Sequence, residues 1–117
     1  MISHVVLFRP RLDLTTDERA ALVEAFERAL RDIPTIRGVR VGRRVIFGAA
    51  YEANTPDAIE FLIAIDFDDL TGLQSYLQHA AHADLGARFT DASSAAVVYD
   101  FDVAQDASSV RAFLRPE

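Results

Sequence analysis

Three histidines and one tyrosine are the residues of this 117-residue chain that could carry proton-transfer chemistry: His4, His79, His82 and Tyr76. An imidazole has a pKa of about 6.5, so a histidine can take an acidic carbon-bound proton near neutral pH. A tyrosine hydroxyl within reach can orient the imidazole or donate to a developing oxyanion. The structural alternative is that His82 packs or caps between two helices and bonds a backbone carbonyl, and that Tyr76 is ordinary core. Both interpretations stay open.

His79 and His82 lie three residues apart, close enough on one helix to suggest a metal pair. A protein zinc site takes three or four side-chain ligands, and the sequence places no third ligand beside these two. The carboxylates Asp66, Asp68 and Asp69 could attract a divalent cation, but Asp68 or Asp69 fits better as a helix N-cap. We therefore predict no metal site, and we expect His79 to be solvated.

Cysteine and lysine are both missing from the chain. Their absence excludes thiolate nucleophiles, thiolate-bound metal clusters and Schiff-base mechanisms, pyridoxal phosphate enzymes included. The sequence also has no glycine-rich phosphate loop, nucleophile elbow or dinucleotide fingerprint. We therefore expect the protein to work without a cofactor.

The charge balance and the apolar runs bear on partners and location. The formal net charge is -6, which disfavours polyphosphate backbones and anionic lipid, so we expect no nucleic acid and no membrane partner. The longest uninterrupted apolar stretch, residues 61–65, is too short to span a bilayer. The N-terminus shows no basic leader pattern. We therefore expect a cytoplasmic protein.

Hydrophobic periodicity divides the chain into four strands and two helical regions. A capping box at Thr15 and Glu18 opens the first helix, which stops before Pro34. After Gly38, apolar residues alternate with polar ones as far as Phe47, as in a strand. The strands are expected at residues 2–8, 39–47, 59–67 and 95–103, and the helical regions at 15–33 and 69–89. This β-α-β-β-α-β order is typical of an α+β, ferredoxin-like protomer with a four-stranded antiparallel sheet.

Both faces of that sheet carry apolar side chains, since Val5 and Leu7 point away from His4 and Val6 on the first strand. Two helices can cover only one face. The simplest cover for the other face is a second copy packed sheet against sheet, so we predict a homodimer. Residues 104–117 form a C-terminal tail that is either disordered or a short helix able to dock on the domain or its partner copy.

Several segments of the chain, taken in order, resemble the stress-responsive α/β-barrel (Dabb) family. No single segment is specific, but their order and spacing are, and the resemblance covers residues 2–103. The segments are His4-Val5-Val6-Leu7-Phe8, Ile33-Pro34-Thr35-Ile36-Arg37-Gly38-Val39 before Gly42, Phe67-Asp68 before the run from Leu73 to His82, and Tyr99-Asp100-Phe101.

The resemblance implies a dimeric α/β barrel built from two ferredoxin-like protomers. Many members look like stress-linked proteins of unknown biochemical role, while a plant member is a polyketide cyclase that performs an intramolecular aldol condensation without a cofactor. The cyclase's histidine base falls on His82, its assisting tyrosine on Tyr76 and its first-strand pocket histidine on His4. Phe26 and Phe61 stand where the cyclase has a tyrosine and a histidine, which implies a more apolar ligand pocket.

Three functions follow as hypotheses. In the first, the protein has an uncertain biochemical role and binds a small apolar or aromatic ligand between sheet and helices. In the second, it is a cofactor-free, cyclase-like enzyme with His82 as the base and Tyr76 and His4 orienting the substrate. In the third, it is a cofactor-independent monooxygenase, which rests on fold alone. A cavity of roughly 300 Å³ or more lined by these three residues would indicate a small-molecule site.

Overall fold

The computed structural model describes residues 1–116. The strands are β1 (Ile2–Pro10), β2 (Gly38–Arg43), β3 (Phe61–Phe67) and β4 (Ser93–Asp102), and the helices are α1 (Thr16–Asp32), α2 (Leu70–Gln78), α3 (Ala80–Ala92) and α4 (Ser109–Phe113), with a 3₁₀ turn at Ala50–Asn54. The four strands form one antiparallel sheet in the order β2-β3-β1-β4. This architecture confirms the predicted α+β, ferredoxin-like protomer. Within residues 1–116, no helix is long and apolar enough to cross a membrane.

Helix α1 begins at the capping box that the sequence predicts. The Thr15 side chain accepts a hydrogen bond from the Glu18 backbone N–H, and the Glu18 carboxylate accepts one from the Thr15 N–H, both at 3.1 Å. Two backbone donors that the helix leaves free are thereby satisfied. The helix ends at Asp32, just before Pro34.

Strand β2 is shorter than the alternation predicts, because the backbone leaves the ladder after Arg43. The Glu52 carboxylate accepts hydrogen bonds from the N–H groups of Phe47 and Gly48, at 2.9 and 3.0 Å. Gly48 has a φ of 87°, a conformation that glycine adopts without steric cost. The apolar residues up to Phe47 therefore lie in an exposed loop, and β3 starts at Phe61 rather than Ile59.

The hydrophobic core lies on the face of the sheet that α1, α2 and α3 cover. Phe67 and Ile65 of β3 are 0% and 2% exposed. Alternation along the strands sends every second side chain of β1 and β3 into this core, His4 among them. The helices contribute these buried residues: Ala25, Ala29, Leu73, Tyr76, Ala81 and Leu85.

The opposite side of the sheet, here called the outer face, is apolar and open. It carries Leu7 and Leu62 at its centre and Val97, Tyr99 and Phe101 along β4. The three β4 residues are 37%, 54% and 49% exposed. Apolar side chains that alternate with core residues along one strand indicate a sheet made to be covered on both faces.

The C-terminal tail contains the short helix α4, the helical one of the two alternatives weighed from the sequence. Its apolar side chains Val110, Phe113 and Leu114 are 56%, 56% and 77% exposed. Position 117, the last of the predicted tail, lies outside the described residues.

Candidate ligand site

A cavity of about 280 Å³ lies between the sheet and the three covering helices. His4 of β1, Tyr76 of α2 and His82 of α3 all line it, so the fold brings together the three residues singled out from the sequence. With Thr90 they are the polar side chains among its described lining residues. The volume is slightly below the roughly 300 Å³ at the lower end of small-molecule sites.

His4 is held by a carboxylate on the neighbouring strand. It is 5% exposed, and it lies directly opposite Asp100 in the β1–β4 ladder. Its Nδ1 is 2.6 Å from Oδ1 of Asp100. Because an ionised carboxylate only accepts hydrogen bonds, Nδ1 carries the proton and donates it. The imidazole is thereby fixed in orientation, and its Nε2 is left for other contacts.

Tyr76 stands between the two histidines. Its ring centroid lies 5.6 Å from that of His4, in an edge-on contact, and 4.6 Å from that of His82. The side chain is 3% exposed, and burial raises the pKa of Tyr76 to about 12. The hydroxyl therefore stays protonated near neutral pH and can act as a hydrogen-bond donor.

His82 is half-buried in the first turn of α3. Burial lowers the pKa of its imidazole, hydrogen bonding with the Leu77 backbone opposes that shift, and the nearby His4 lowers the pKa further. A histidine with a lowered pKa is neutral at pH 7 and keeps one nitrogen free to accept a proton. The cavity thus holds a neutral proton acceptor next to a protonated donor.

The break between α2 and α3 directs Tyr76 and His82 to the same cavity. His79, expected to be solvated, is half-buried and forms the cap at this break. Its backbone is extended, and its Nδ1 accepts a hydrogen bond from the Ala81 N–H at 3.0 Å. Asp69 caps α2 in the same manner by accepting from the Gly72 N–H at 2.9 Å. The two caps fix where each helix starts and therefore which residues face inward.

His79 uses its Nδ1 to accept a hydrogen bond from the Ala81 backbone, so Nε2 is the ring nitrogen that this contact leaves free. Across residues 1–116, no three histidine, cysteine, aspartate or glutamate side chains are grouped so that they could hold a metal ion.

Phe26 and Phe61, the two expected pocket residues, occupy different positions. Phe26 of α1 lines the cavity that holds His4, Tyr76 and His82. Phe61 lines an adjoining apolar cavity of about 220 Å³ beside Phe8, with ring centroids 5.6 Å apart. Phe26 belongs to both cavities, so it forms part of the wall between them.

Asp100 is a site residue that sequence reasoning missed. Its pairing with His4 joins residues 96 positions apart, and it depends on the register of β1 against β4. The expected strand at residues 95–103 contains two acidic residues, Asp100 and Asp102. Only the register of β4 against β1 shows that Asp100 is the one opposite His4.

The site and fold define a ferredoxin-like protomer with a small, mostly apolar cavity between sheet and helices. The chain belongs to the Dabb family, the stress responsive A/B barrel domain, because residues 2–103 match that family. This confirms the resemblance drawn from the sequence. No curated protein matches the chain.

Solved structures with the same fold come from plants and bacteria. A protein from Arabidopsis thaliana has 14% identity and a TM-score of 0.74, with 92% of this chain and 99% of that chain covered. A hydroxynitrile lyase from Passiflora edulis has 11% identity and a TM-score of 0.74, with 90% and 94% covered. A dimeric ferredoxin-like protein of unknown function from Thermobifida fusca has 22% identity and a TM-score of 0.66, with 87% and 90% covered. At these identities the likeness shows the fold.

Proposed function

We propose that this Dabb-domain protein binds a small, neutral, mostly aromatic molecule in the cavity lined by His4, Tyr76 and His82. The observation that carries the proposal is the composition of the wall, which is apolar except for those three side chains and Thr90. A ligand site of this kind gains affinity from burying apolar surface and orientation from a few polar groups. The polar end of the ligand would meet the Tyr76 hydroxyl and the His82 imidazole.

The residues that line the cavity also favour an uncharged ligand. The described lining residues include no arginine, and the chain has no lysine. A carboxylate or phosphate buried there would lose its hydration without gaining a counter-charge. A phenol or an aromatic ketone would instead find the donor and acceptor that it needs.

We also infer that two copies assemble by packing their outer faces together. The exposed side chains of Val97, Tyr99 and Phe101 support this, since a large apolar patch on a single chain marks an interaction surface. The outer face also carries Asp66, whose buried Oδ1 has no hydrogen-bond partner within residues 1–116. The dimeric Thermobifida fusca protein has the same fold. Sedimentation equilibrium should therefore give about twice the 12.9 kDa chain mass.

Histidine-resolved NMR tests the ligand site directly. Titration with 2-naphthol and with phenylacetone should shift the ring signals of His4 and His82 together and saturably. His79 serves as an internal control, because it lies outside the lining of the cavity. Equal shifts at all three histidines, or none at millimolar probe, would contradict the proposal.

Proton abstraction is a second candidate function, favoured by the neutral His82 beside the protonated Tyr76. His82 would take a proton from the carbon next to a bound ketone's carbonyl. The electron pair of the broken C–H bond would form a carbon–carbon double bond, and the π pair of the C=O bond would move to the oxygen, where the Tyr76 O–H would donate a hydrogen bond. This is the first step of an aldol-type cyclisation without a cofactor.

Deuterium exchange separates binding from this chemistry. Wild-type protein should accelerate exchange of the benzylic protons of phenylacetone in D₂O, and His82→Gln should abolish the acceleration. Binding with no acceleration above buffer would leave the ligand site standing and reject the enzymatic proposal.

A further inference from the structure

His4 presents an unpaired ring nitrogen to the cavity between sheet and helices. Its Nδ1 is used by Oδ1 of Asp100, at 2.6 Å, and no other group of residues 1–116 forms a hydrogen bond with its Nε2. In this part of the chain, the buried side-chain polar atoms that lack a partner are Oδ1 of Asp66 and Oγ of Ser93. Nε2 is not among these sealed atoms, so it is open to the cavity that His4 lines.

The contact with Asp100 decides what Nε2 of His4 can do. A neutral imidazole carries one proton, and Nδ1 donates that proton to the carboxylate. The other nitrogen then holds a lone pair and accepts a hydrogen bond. Asp100 therefore makes the neutral His4 ring an acceptor toward the cavity.

The break between α2 and α3 gives His82 a lone pair in a similar way. In a continuous helix the Ala81 N–H would bond the Leu77 carbonyl, four residues earlier. Here the Ala81 N–H bonds Nδ1 of His79 instead, which leaves the Leu77 carbonyl for the His82 ring, and a backbone hydrogen bond joins these two residues. A carbonyl only accepts, so one nitrogen of His82 donates and the other holds the lone pair of the neutral ring.

Lone pairs therefore outnumber protons in the cavity. Among its described lining residues, the side chains that still have a proton to donate are the hydroxyls of Tyr76 and Thr90, since the ring protons of the two histidines go to Asp100 and Leu77. Each hydroxyl offers one proton and can itself accept. A ligand that only accepts, such as an ether, leaves a histidine lone pair unpaired, and a buried polar group without a partner costs free energy. A ligand hydroxyl supplies the missing proton.

We propose that the ligand carries a hydroxyl group that donates to Nε2 of His4 and accepts from the Tyr76 O–H, and that Asp100 is the positioning residue for this contact. The inference rests on the small-molecule site proposed above and names the group that its ligand presents. The ring of Tyr76 lies beside that of His4, with centroids 5.6 Å apart. The Tyr76 hydroxyl, like Nε2, is not among the sealed unpaired atoms of residues 1–116. The ligand class is a neutral phenol or aromatic alcohol.

The exposure of the pair suits this role of Asp100. Its side chain is 45% exposed and keeps contact with water, whereas His4 is 5% exposed. An ionised carboxylate has no proton to give, so it holds the neutral ring in the form with the proton on Nδ1. Asp102 lies two residues along β4, opposite Ile2, and so provides a carboxylate on the same strand and face that does not pair with His4.

Ligand affinity and the ¹⁵N signals of the histidine rings test the proposal at about pH 8, above the ordinary titration range of histidine. The probes 2-naphthol and 2-methylnaphthalene have the same outline, but only the first has a hydroxyl. We expect 2-naphthol to bind about tenfold tighter. It should also shift the Nε2 signal of His4, which should start in the range of an unprotonated ring nitrogen. Equal affinities, or a protonated Nε2 in the free protein, would overturn the proposal.

The variants Asp100→Ala and Asp102→Ala test the positioning role. Without Asp100 the His4 ring loses the partner that fixes its tautomer, so the preference for 2-naphthol should fall to about twofold. A second ring form should appear in the ¹⁵N spectrum. Asp102→Ala should keep the wild-type preference and a single ring form. An unchanged preference in folded Asp100→Ala would reject the positioning role.

The wild-type comparison does not depend on how either variant folds, and it separates this inference from the ligand site on which it rests. Binding of both probes with equal affinity would reject the hydroxyl contact and leave the apolar ligand site standing. Binding of neither probe would reject both.

Discussion

Nδ1 of His4 lies 2.6 Å from Oδ1 of Asp100, directly across the β1–β4 ladder. The histidine is buried, whereas the Asp100 side chain is 45% exposed. The carboxylate thus lies at the edge of the core and holds a polar ring inside it. A buried donor that loses its partner loses the stability that the hydrogen bond supplied.

Replacing Asp100 should therefore destabilise the protein. We expect Asp100→Ala to lower the free energy of unfolding by about 1–3 kcal/mol, because Nδ1–H of His4 is left unpaired. Asp102→Ala, on the same strand and the same face, is the control and should cost less than about 0.5 kcal/mol. Urea denaturation measures both. Equal losses in the two variants would show that the His4 contact contributes no stability.

The lowered pKa of His82 predicts a pH dependence of stability with a definite sign. The unfolded chain binds a proton to this histidine at about pH 6.5, whereas the folded chain binds it only at lower pH, chiefly because of burial. Between these two pKa values the unfolded state holds more protons. Stability should therefore fall as the pH drops below about 6.5.

The variant His82→Gln isolates that contribution. Urea unfolding of both proteins between pH 7.5 and 5 should show a steeper loss for wild type than for the variant. In NMR the His82 ring should titrate with a midpoint below 6.5. Parallel stability profiles, or a midpoint above that value, would contradict a desolvated His82.

The strand residues that share a face were predictable because strand alternation is local. The period of two groups His4 with Val6, and Ile65 with Ile63, but it does not say which face the helices cover. The Asp100 contact was not predictable in this way, since it depends on the register of two strands far apart in sequence. The end of β2 was missed because the Glu52 side chain, five residues beyond Phe47, takes backbone N–H groups that a strand would use.

The cap formed by His79 was missed because histidine is an uncommon N-cap, for which serine, threonine, aspartate and asparagine are the usual signals. The sequence therefore shows where helical periodicity resumes but not what starts α3. Phe26 and Phe61 line different cavities because of the way the core side chains pack. Strand and helix periodicity in the sequence gives no information about that packing.

The His79 cap gives a third prediction. His79→Ala removes the acceptor for the Ala81 N–H and should lower the free energy of unfolding by about 1 kcal/mol. His79→Asn keeps a side-chain acceptor and should retain most of that stability. Thermal and urea denaturation of both variants measure the difference. If asparagine were as destabilising as alanine, the ring would act through packing and not through the cap.

Substitution of Tyr76 tests whether its hydroxyl or its ring contributes to ligand affinity and to stability. Tyr76→Phe keeps the packing against His4 and His82 and removes one donor, so the free energy of unfolding should change by less than about 1 kcal/mol. Affinity for 2-naphthol should fall about tenfold, the equivalent of about 1.4 kcal/mol. Tyr51→Phe, at an exposed tyrosine outside the cavity, is the matched control and should leave affinity unchanged. Isothermal titration calorimetry measures both affinities. A loss of clearly more than about 1 kcal/mol of stability without any change in affinity would assign Tyr76 to the core alone.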